Sequence, residues 1–206
     1  MNAIFSRKSV RKYDEHKVED EKIEKLLRAA MAAPSGGNQQ PWHFVVVTDA
    51  ATCEELGEVS PYSKPATGAP LNIIAVMDDT QARFPEIADH DMSAAVENIL
   101  LEAVELGLGA VWQALYPFED RMQSVRDLLG IPAELKPFAL VSIGYPASEV
   151  GPQQERFNSE RVHQNAWEKF IFAALARSCI RVRAHRHMPC RNARRNSGRT
   201  SSDALE

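Results

Sequence analysis

Four cations crowd a seven-residue segment near the N-terminus. RKSVRKY, residues 7–13, places them around the hydroxyl of Ser9: Arg7, Lys8, Arg11 and Lys12. Guanidinium groups bind phosphate oxygens in bidentate pairs, and a hydroxyl adds a neutral donor, so this composition suits a phosphate group. Taken alone, the segment is better explained as an ordinary solvated basic turn.

A second segment offers polar groups without charge. PSGGNQQPW, residues 34–42, contains three consecutive side-chain amides, those of Asn38, Gln39 and Gln40. Amides carry donors and acceptors together, which suits the edge of a heterocycle with alternating N–H and C=O groups. Gly36 and Gly37 allow positive φ or a close approach of the backbone to a ligand. No Gly-Lys-Ser/Thr sequence follows, so this is not a P-loop, and a structural turn is an equal alternative.

The other polar clusters predict structural roles. Residues 89–91, Asp-His-Asp, open a helix, where three adjacent side chains cannot all face one ion. We therefore expect Asp89 to cap that helix, and we expect no metal site. Cys53, Cys179 and Cys190 have neither metal nor disulfide spacing, and Cys53 has no paired histidine. An inert Cys53 thiol in a reduced, cytoplasmic protein is predicted.

Hydrophobic periodicity places these segments between helices and strands. Amphipathic or apolar patterns predict helices over residues 18–33, 50–58, 89–106 and 119–129. Apolar runs rich in β-branched residues predict strands over residues 43–49, 71–79, 110–115 and 138–146. Gly107 and Gly109 fit the end of the third helix, and Gly130 fits the end of the last. The alternation favours a sheet covered by helices.

The helix over residues 89–106 is more apolar than one sheet face requires. Burial in the core of the chain and burial in a subunit interface explain that surplus equally well.

Charge divides the chain at about residue 171. The residues from 171 onward hold eight arginines, no lysine and two acids, whereas the preceding body is acidic. The acidic body argues against nucleic-acid binding. Because the segment 171–206 has no apolar period, we expect a disordered tail foreign to the fold; a nucleic-acid-binding arm is the alternative. The chain contains no hydrophobic signal core and no run of about 18 apolar residues, so we expect no membrane segment.

Taken together, the basic and amide segments resemble the FMN-dependent nitroreductase family. RKSVR (7–11) is followed after about 25 residues by PSGGNQQPW, and further similarity lies in ENILLEAVELGLGAVW (97–112), SIGYP (142–146) and RFNSERVHQNAW (156–167). The similarity covers residues 3–168. It implies an α+β, three-layer α/β/α fold with a mainly antiparallel or mixed sheet, formed by residues 1–170. It also implies an intertwined homodimer with one FMN in each of two interface clefts.

The resemblance assigns roles to particular residues. The residues implied to hold the FMN phosphate and ribityl chain are Arg7, Lys8, Ser9 and Arg11, with Arg156 or Arg161 completing the phosphate site. Those implied to meet the flavin from the other subunit are Pro34, Ser35, Asn38 and Gln40. Those implied to lie beside the reactive ring are Gln113, Ala114 and Leu115, and the family often has glycine in place of Ala114. The basic tail departs from the family, in which the final segment commonly wraps onto the partner.

The implied reaction is an oxidation of NADH or NADPH that reduces nitroaromatic, quinone or similar small-molecule acceptors by ping-pong hydride transfer. The flavin supplies the chemistry, so no catalytic residue is required from the protein. Residues 107–109, Gly-Leu-Gly, follow a helix rather than a strand and are not a dinucleotide fingerprint, so donor and acceptor share one cleft. The alternatives are a dehalogenating or flavin-consuming member of the superfamily and a non-catalytic flavin-binding or regulatory protein.

Overall fold

The computed structural model describes residues 2–151 and 153–167. Within these ranges the chain forms five α-helices and four β-strands. In chain order they are α1 (Ala3–Ser6), α2 (Asp20–Met31), β1 (Trp42–Val47), α3 (Ala50–Leu56), β2 (Leu71–Met77), α4 (Ala88–Glu105), β3 (Gly109–Ala114), α5 (Glu119–Leu129) and β4 (Lys136–Gly144).

The residues up to 154 form one compact unit and those from 155 belong to another, so each unit is described by itself. The predicted tail 171–206, with Cys179, Cys190 and the domain boundary at residue 170, lies outside the described residues. None of the described helices is both long and apolar enough to cross a membrane.

The four strands form one sheet in the order β1-β2-β4-β3, and every neighbouring pair is antiparallel. The central strand β2 is buried along its whole length. Strands buried on both faces are continuously apolar, as LNIIAVM is apart from Asn72. Within the described residues, β1 and β3 are the edge strands of the sheet.

Helices cover both faces of this sheet. On one face, α2 and α4 bury Leu26 and Ile99 against Ile73 of β2. On the other face, α3 and α5 bury Leu56 and Val125, among others, in a second cluster that includes Ile74 of β2. Adjacent residues of β2 serve opposite faces because side chains alternate along a strand. The predicted three-layer α/β/α fold with an antiparallel sheet is confirmed.

The long apolar helix α4 lies inside the chain's own core. Its buried residues include Met92, Val96, Ile99 and Leu100, which pack in the cluster shared with α2 and the sheet. The intramolecular core therefore accounts for the large apolar surface of this helix, for which the sequence left two explanations open, the core of the chain and a subunit interface.

Two predictions about the ends of α4 are wrong. The N-cap is Ile87, the last residue of the 3₁₀ turn Pro85–Ile87, so Asp89 lies in the first turn, where its side chain accepts from the adjacent His90 N, and it is not the N-cap. At the other end Gly107 takes φ 74° as expected. Gly109 instead begins β3, because the chain turns back into the sheet immediately after Gly107.

Candidate functional site

The basic segment is fixed along the outer edge of β3. Ser9 forms a parallel bridge with Ala110, and Val10 N donates to Ala110 O at 3.0 Å. The hydroxyl of Tyr13 lies 2.6 Å from Val10 O and 2.9 Å from Ser142 O, so it ties the segment to β4 as well. Burial raises the pKa of Tyr13, although the charge of Arg11 opposes that effect. These contacts hold residues 9–13 in one conformation, unlike a freely solvated turn.

Gly109 makes this docking possible. A Cβ built at Gly109 would lie 2.6 to 2.7 Å from three atoms of the Val10 side chain. Real Cβ atoms do not approach other atoms so closely, so the absence of a side chain at Gly109 allows the basic segment to press against β3. The sequence did not reveal this contact, since Gly109 fitted a helix end.

The cations of the segment are largely uncompensated. Arg7 Nε lies 3.6 Å from Glu97 Oε1 on α4, and Arg11 Nη1 reaches only the carbonyl of Ser9, at 3.4 Å. In the part of the chain that the structure describes, no carboxylate lies within 4 Å of the Lys8 or Arg11 charge. Ser9 and Arg11 are exposed. The segment therefore presents net positive charge and a hydroxyl to a ligand.

A cleft of about 480 Å³ opens beside the basic segment. Its lining comes from the basic segment, β3, the loop before β2 and α5: Arg11, Pro61, Tyr62, Lys64, Pro65, Val111, Trp112, Gln113, Ala114 and Arg121. That volume lies within the range of small-molecule sites. The structure thus brings together three predicted residues, Arg11, Gln113 and Ala114.

Seven of the ten cleft residues were not predicted from the sequence, among them Tyr62, Lys64 and Arg121. The only available signal was a lysine two positions after a tyrosine in the SPYSKP loop, which is too common a pattern to indicate a site. Lys64 pairs with Glu58, whereas Arg121 donates from Nη1 to Ala114 O at 2.9 Å.

The open edge of β3 supplies backbone groups to the cleft. Ala110 O bonds Val10 N and Ala114 O bonds Arg121, both on the side away from β4. Backbone groups of alternate residues in a strand point to the same side. The N–H and C=O of Trp112, midway between these two, therefore point toward the same open edge, where they bond no described residue and can meet a planar polar ligand.

Gln113 and Leu115 are both buried, and only the first of them lines the cleft. With its side-chain nitrogen turned toward the loop, Gln113 donates to Tyr62 O and Ser63 O, both at 3.2 Å, and its oxygen accepts from Ser142 Oγ at 2.7 Å. This buried amide lines the cleft wall and holds the Tyr62 loop. Leu115 is fully buried in the core cluster formed with α3 and α5, and its side chain does not line the cleft. The alternation of side chains along β3 directs positions 113 and 115 inward.

The amide loop is a strained turn. It contains the 3₁₀ turn Gly36–Asn38, and three of its residues have positive φ: Gly37 at 57°, Asn38 at 57° and Gln40 at 50°. Ser35 Oγ accepts from Gln40 N at 3.1 Å, which helps to hold this shape. Pro34, Asn38 and Gln40 are exposed, and the two amides bond no described residue. Positive φ at a non-glycine residue such as Gln40 costs about 1–2 kcal/mol and is often found at functional loops.

Asp91 anchors this loop from α4. Its Oδ1 accepts from Gly36 N at 2.9 Å and its Oδ2 accepts from Gln39 Nε2 at 2.6 Å. Gln39 Oε1 in turn accepts from Phe84 N at 2.9 Å. The Gln39 amide is thus used inside the protein, contrary to the expectation that it faces a heterocycle. This role of Asp91 was not predictable from the sequence, in which Asp91 belongs to a pattern typical of helix capping.

The basic segment and the amide loop lie at opposite edges of the sheet. The loop leads into β1, whereas the segment docks on β3, three strand spacings or about 14 Å away. They also lie at opposite ends, because Trp42 pairs with Met77 while Ala110 pairs with Ile143. Within one chain, these two groups of predicted residues therefore form two separate surfaces.

Arg156 and Arg161 belong to the unit that begins at Glu155. Both are exposed, and Arg161 ends the 3₁₀ turn Ser159–Arg161, which Asn158 caps by accepting from Glu160 N at 2.8 Å. Their role at a phosphate site stays a prediction.

Cys53 is buried on α3. Asn72 Nδ2 donates to its Sγ at 3.2 Å, and burial raises the pKa of the thiol. The thiol therefore stays protonated, which agrees with the predicted inert cysteine.

The sequence matches the Nitroreductase family over residues 4–84 and 61–145. A protein of Archaeoglobus fulgidus, provisionally named NADH dehydrogenase/NAD(P)H nitroreductase, is 42% identical over 81% of this chain and 98% of its own length. A crystal structure from Clostridium acetobutylicum, provisionally named NADH oxidase, is 43% identical with a TM-score of 0.78, covering 80% of this chain and 99% of that one.

A third similar protein has a flavin bound. It is a provisionally named nitroreductase from Desulfovibrio desulfuricans, solved in complex with FMN; it is 31% identical, with a TM-score of 0.69 over 80% of this chain and 95% of its own. The family match spans most of the described residues, and the fold of the chain is similar to those of the two crystal structures. The chain belongs to the nitroreductase family, a family of oxidoreductases.

Proposed function

We propose that this protein is an FMN-dependent NAD(P)H oxidoreductase that reduces nitroaromatic, quinone or similar acceptors. The observation that carries the proposal is the basic segment, held rigidly at the mouth of a cleft of about 480 Å³ with its cations largely unpaired. The FMN found in the Desulfovibrio relative supports the choice of cofactor.

The residues present fit FMN. Arg7, Lys8, Ser9 and Arg11 supply charge-assisted donors and a hydroxyl for the phosphate. The open edge of β3 offers the Trp112 backbone groups, and Ala114 and Lys64 line the same cleft. The exposed backbone edge suits the polar rim of a flavin ring, while the cations suit its charged end.

We further propose a homodimer in which the amide loop of each chain completes the cleft of its partner. Pro34, Ser35, Asn38 and Gln40 would then meet the flavin across the interface. The separation of the amide loop from the basic segment within one chain supports this arrangement, as does the strained, exposed conformation of the loop. Asp91 holds the loop in place, while the side-chain amides of Asn38 and Gln40 stay exposed. These two amides can therefore bind a flavin held by the other subunit.

When bound, FMN supplies hydride and electron transfer between NAD(P)H and the acceptor. The cleft residues of this chain orient the ligands, and their positive charges stabilise negative charge that develops there. We assign no acid or base to the protein. One cleft receives the donor and the acceptor in turn, as in a ping-pong cycle. Double-reciprocal plots of initial rate against nucleotide concentration, measured at several fixed acceptor concentrations, should therefore be parallel lines.

Visible absorption of the purified protein tests this function. We expect flavin bands near ~450 nm that bleach under anaerobic NADH or NADPH. The double variant Arg7→Ala/Arg11→Ala should lose FMN, whereas Lys25→Ala/Arg28→Ala, which removes two exposed cations from α2, should retain it. Full FMN occupancy in the Arg7/Arg11 variant would refute the assignment. Bands that persist with both nucleotides would indicate a flavin-binding protein rather than this reductase.

A further inference from the structure

Arg121 occupies the wall of the cleft formed by α5. Its Nη1 donates to Ala114 O at 2.9 Å, and its guanidinium carbon lies 3.9 Å from the centroid of the Phe118 ring and 5.5 Å from that of Tyr62. No carboxylate of residues 2–151 or 153–167 lies within 4 Å of this guanidinium. Arg121 is therefore held in place by a carbonyl and two rings, and its charge is left uncompensated.

The two rings beside Arg121 are unusually open to solvent. Tyr62 is 70% exposed and Phe118 is 45% exposed. The Gln113 amide fixes the backbone of the Tyr62 loop, and Phe118 immediately precedes α5, so both rings stand on anchored backbone. Exposed aromatic faces around a fixed cation form a surface that suits an aromatic molecule carrying a negative charge.

Arg121 also has unused hydrogen-bonding capacity. A guanidinium has five N–H donors, and the structure shows one of them bonded to Ala114 O. The remaining donors can form a bidentate pair with a carboxylate or phosphate. The other two cations of the cleft are committed, since Lys64 pairs with Glu58 and Arg11 belongs to the predicted phosphate site. Among the described residues that line the cleft, Arg121 is thus the cation available to a second ligand.

We propose that Arg121, between Tyr62 and Phe118, binds the anionic group of the molecule that exchanges electrons in the cleft, which gives the enzyme a preference for anionic aromatic ligands. The inference rests on the proposed function, because Ala114, to which Arg121 is bonded, is a residue predicted to lie beside the flavin. The anion belongs either to an aromatic acceptor or to the phosphates of the nicotinamide nucleotide, and the experiment separates these sources.

The first test compares two acceptors that share a nitro group but differ in charge, 4-nitrobenzoate and 4-nitrobenzamide. With the flavin-loaded protein, Arg121→Gln should lower kcat/KM for the charged acceptor about tenfold or more relative to that for the neutral acceptor, the loss expected for a hydrogen bond to a charged group. Arg121→Lys keeps the positive charge but cannot form a bidentate pair. Its kcat/KM for 4-nitrobenzoate should therefore lie between those of the wild type and Arg121→Gln. Arg28→Gln, which alters an exposed arginine on α2, should change neither acceptor.

The second test measures binding without turnover. Calorimetry with benzoate and benzamide, which carry no nitro group, should show benzoate binding that weakens at high salt and disappears in Arg121→Gln. This measurement also applies to protein without flavin, so failure of the proposed function and failure of this inference can be told apart.

The outcomes assign the anion. A loss confined to 4-nitrobenzoate places it on the acceptor, whereas a rise in KM confined to NADH or NADPH, measured with the neutral acceptor, places it on the nucleotide phosphates. Unchanged rate constants for both acceptors and both nucleotides, together with unchanged benzoate binding in Arg121→Gln, would overturn the proposal.

Discussion

Asp91→Ala should release the amide loop and destabilise the protein. Asp91 is 6% exposed and accepts two hydrogen bonds, from Gly36 N at 2.9 Å and from Gln39 Nε2 at 2.6 Å. Bonds to a charged group contribute about 1.5–3 kcal/mol each. Two effects reduce the sum: Gln39 Nε2 keeps its bond to Phe84 O at 3.2 Å, and burying the carboxylate itself costs free energy.

The net loss should be about 3 kcal/mol in the free energy of unfolding. For a domain of this size, that corresponds to a fall in Tm of roughly 6–12 °C. Thermal unfolding followed by circular dichroism measures it directly. Asp91→Asn, which keeps one acceptor oxygen, should lose about half as much.

The matched control is Asp89→Ala, two residues earlier on the same helix. Asp89 Oδ1 accepts from the adjacent His90 N at 2.9 Å and lies 3.9 Å from His90 Nε2, and among the described residues its side chain forms no hydrogen bond or ion pair with another element. Its replacement should change stability by no more than about 0.5 kcal/mol. Equal losses in the two alanine variants, or a loss below about 1 kcal/mol at Asp91, would refute the anchoring role. Equal losses would indicate that a negative charge anywhere in the first turn stabilises the helix.

Two further predictions concern the docking of the basic segment. Gly109→Ala places a methyl group against Val10 and should cost about 1–3 kcal/mol of stability and weaken FMN binding, whereas Gly68→Ala, whose Cβ meets nothing within 4 Å, should do neither; equal melting curves would contradict this. Tyr13→Phe should cost about 1 kcal/mol at pH 8 through its lost hydrogen bond. Because the folded-state pKa of Tyr13 is raised, its contribution is complete below the unfolded value of about 10 and is lost as pH rises beyond it. Urea titrations from pH 8 to 11 should therefore show a steeper alkaline loss in the wild type than in the variant, and parallel losses would contradict the burial of this phenol.

The elements of the fold were predictable because their signals are local. The apolar run LNIIAVM required burial on both faces and became the central strand, and the amphipathic period after Asp20 became α2. The residues of the basic and amide segments were found in the same way, from residue type and spacing over a few positions. Their resemblance to one family then predicted the three-layer fold.

The tertiary structure alone decided how each of those residues is used. Gln39 and Asp91 are 52 positions apart, so only the packing of the loop on α4 shows that one amide serves the protein while its two neighbours remain exposed. Leu115 and Ala114 are adjacent, yet the alternation along β3 buries one in the core and leaves the other at the cleft. The strand order places the amide loop and the basic segment at opposite edges of the sheet. Such facts depend on strand order, register and long-range packing, which a sequence constrains only through the whole chain, whereas periodicity and turn chemistry act over a few residues and can be recognised there.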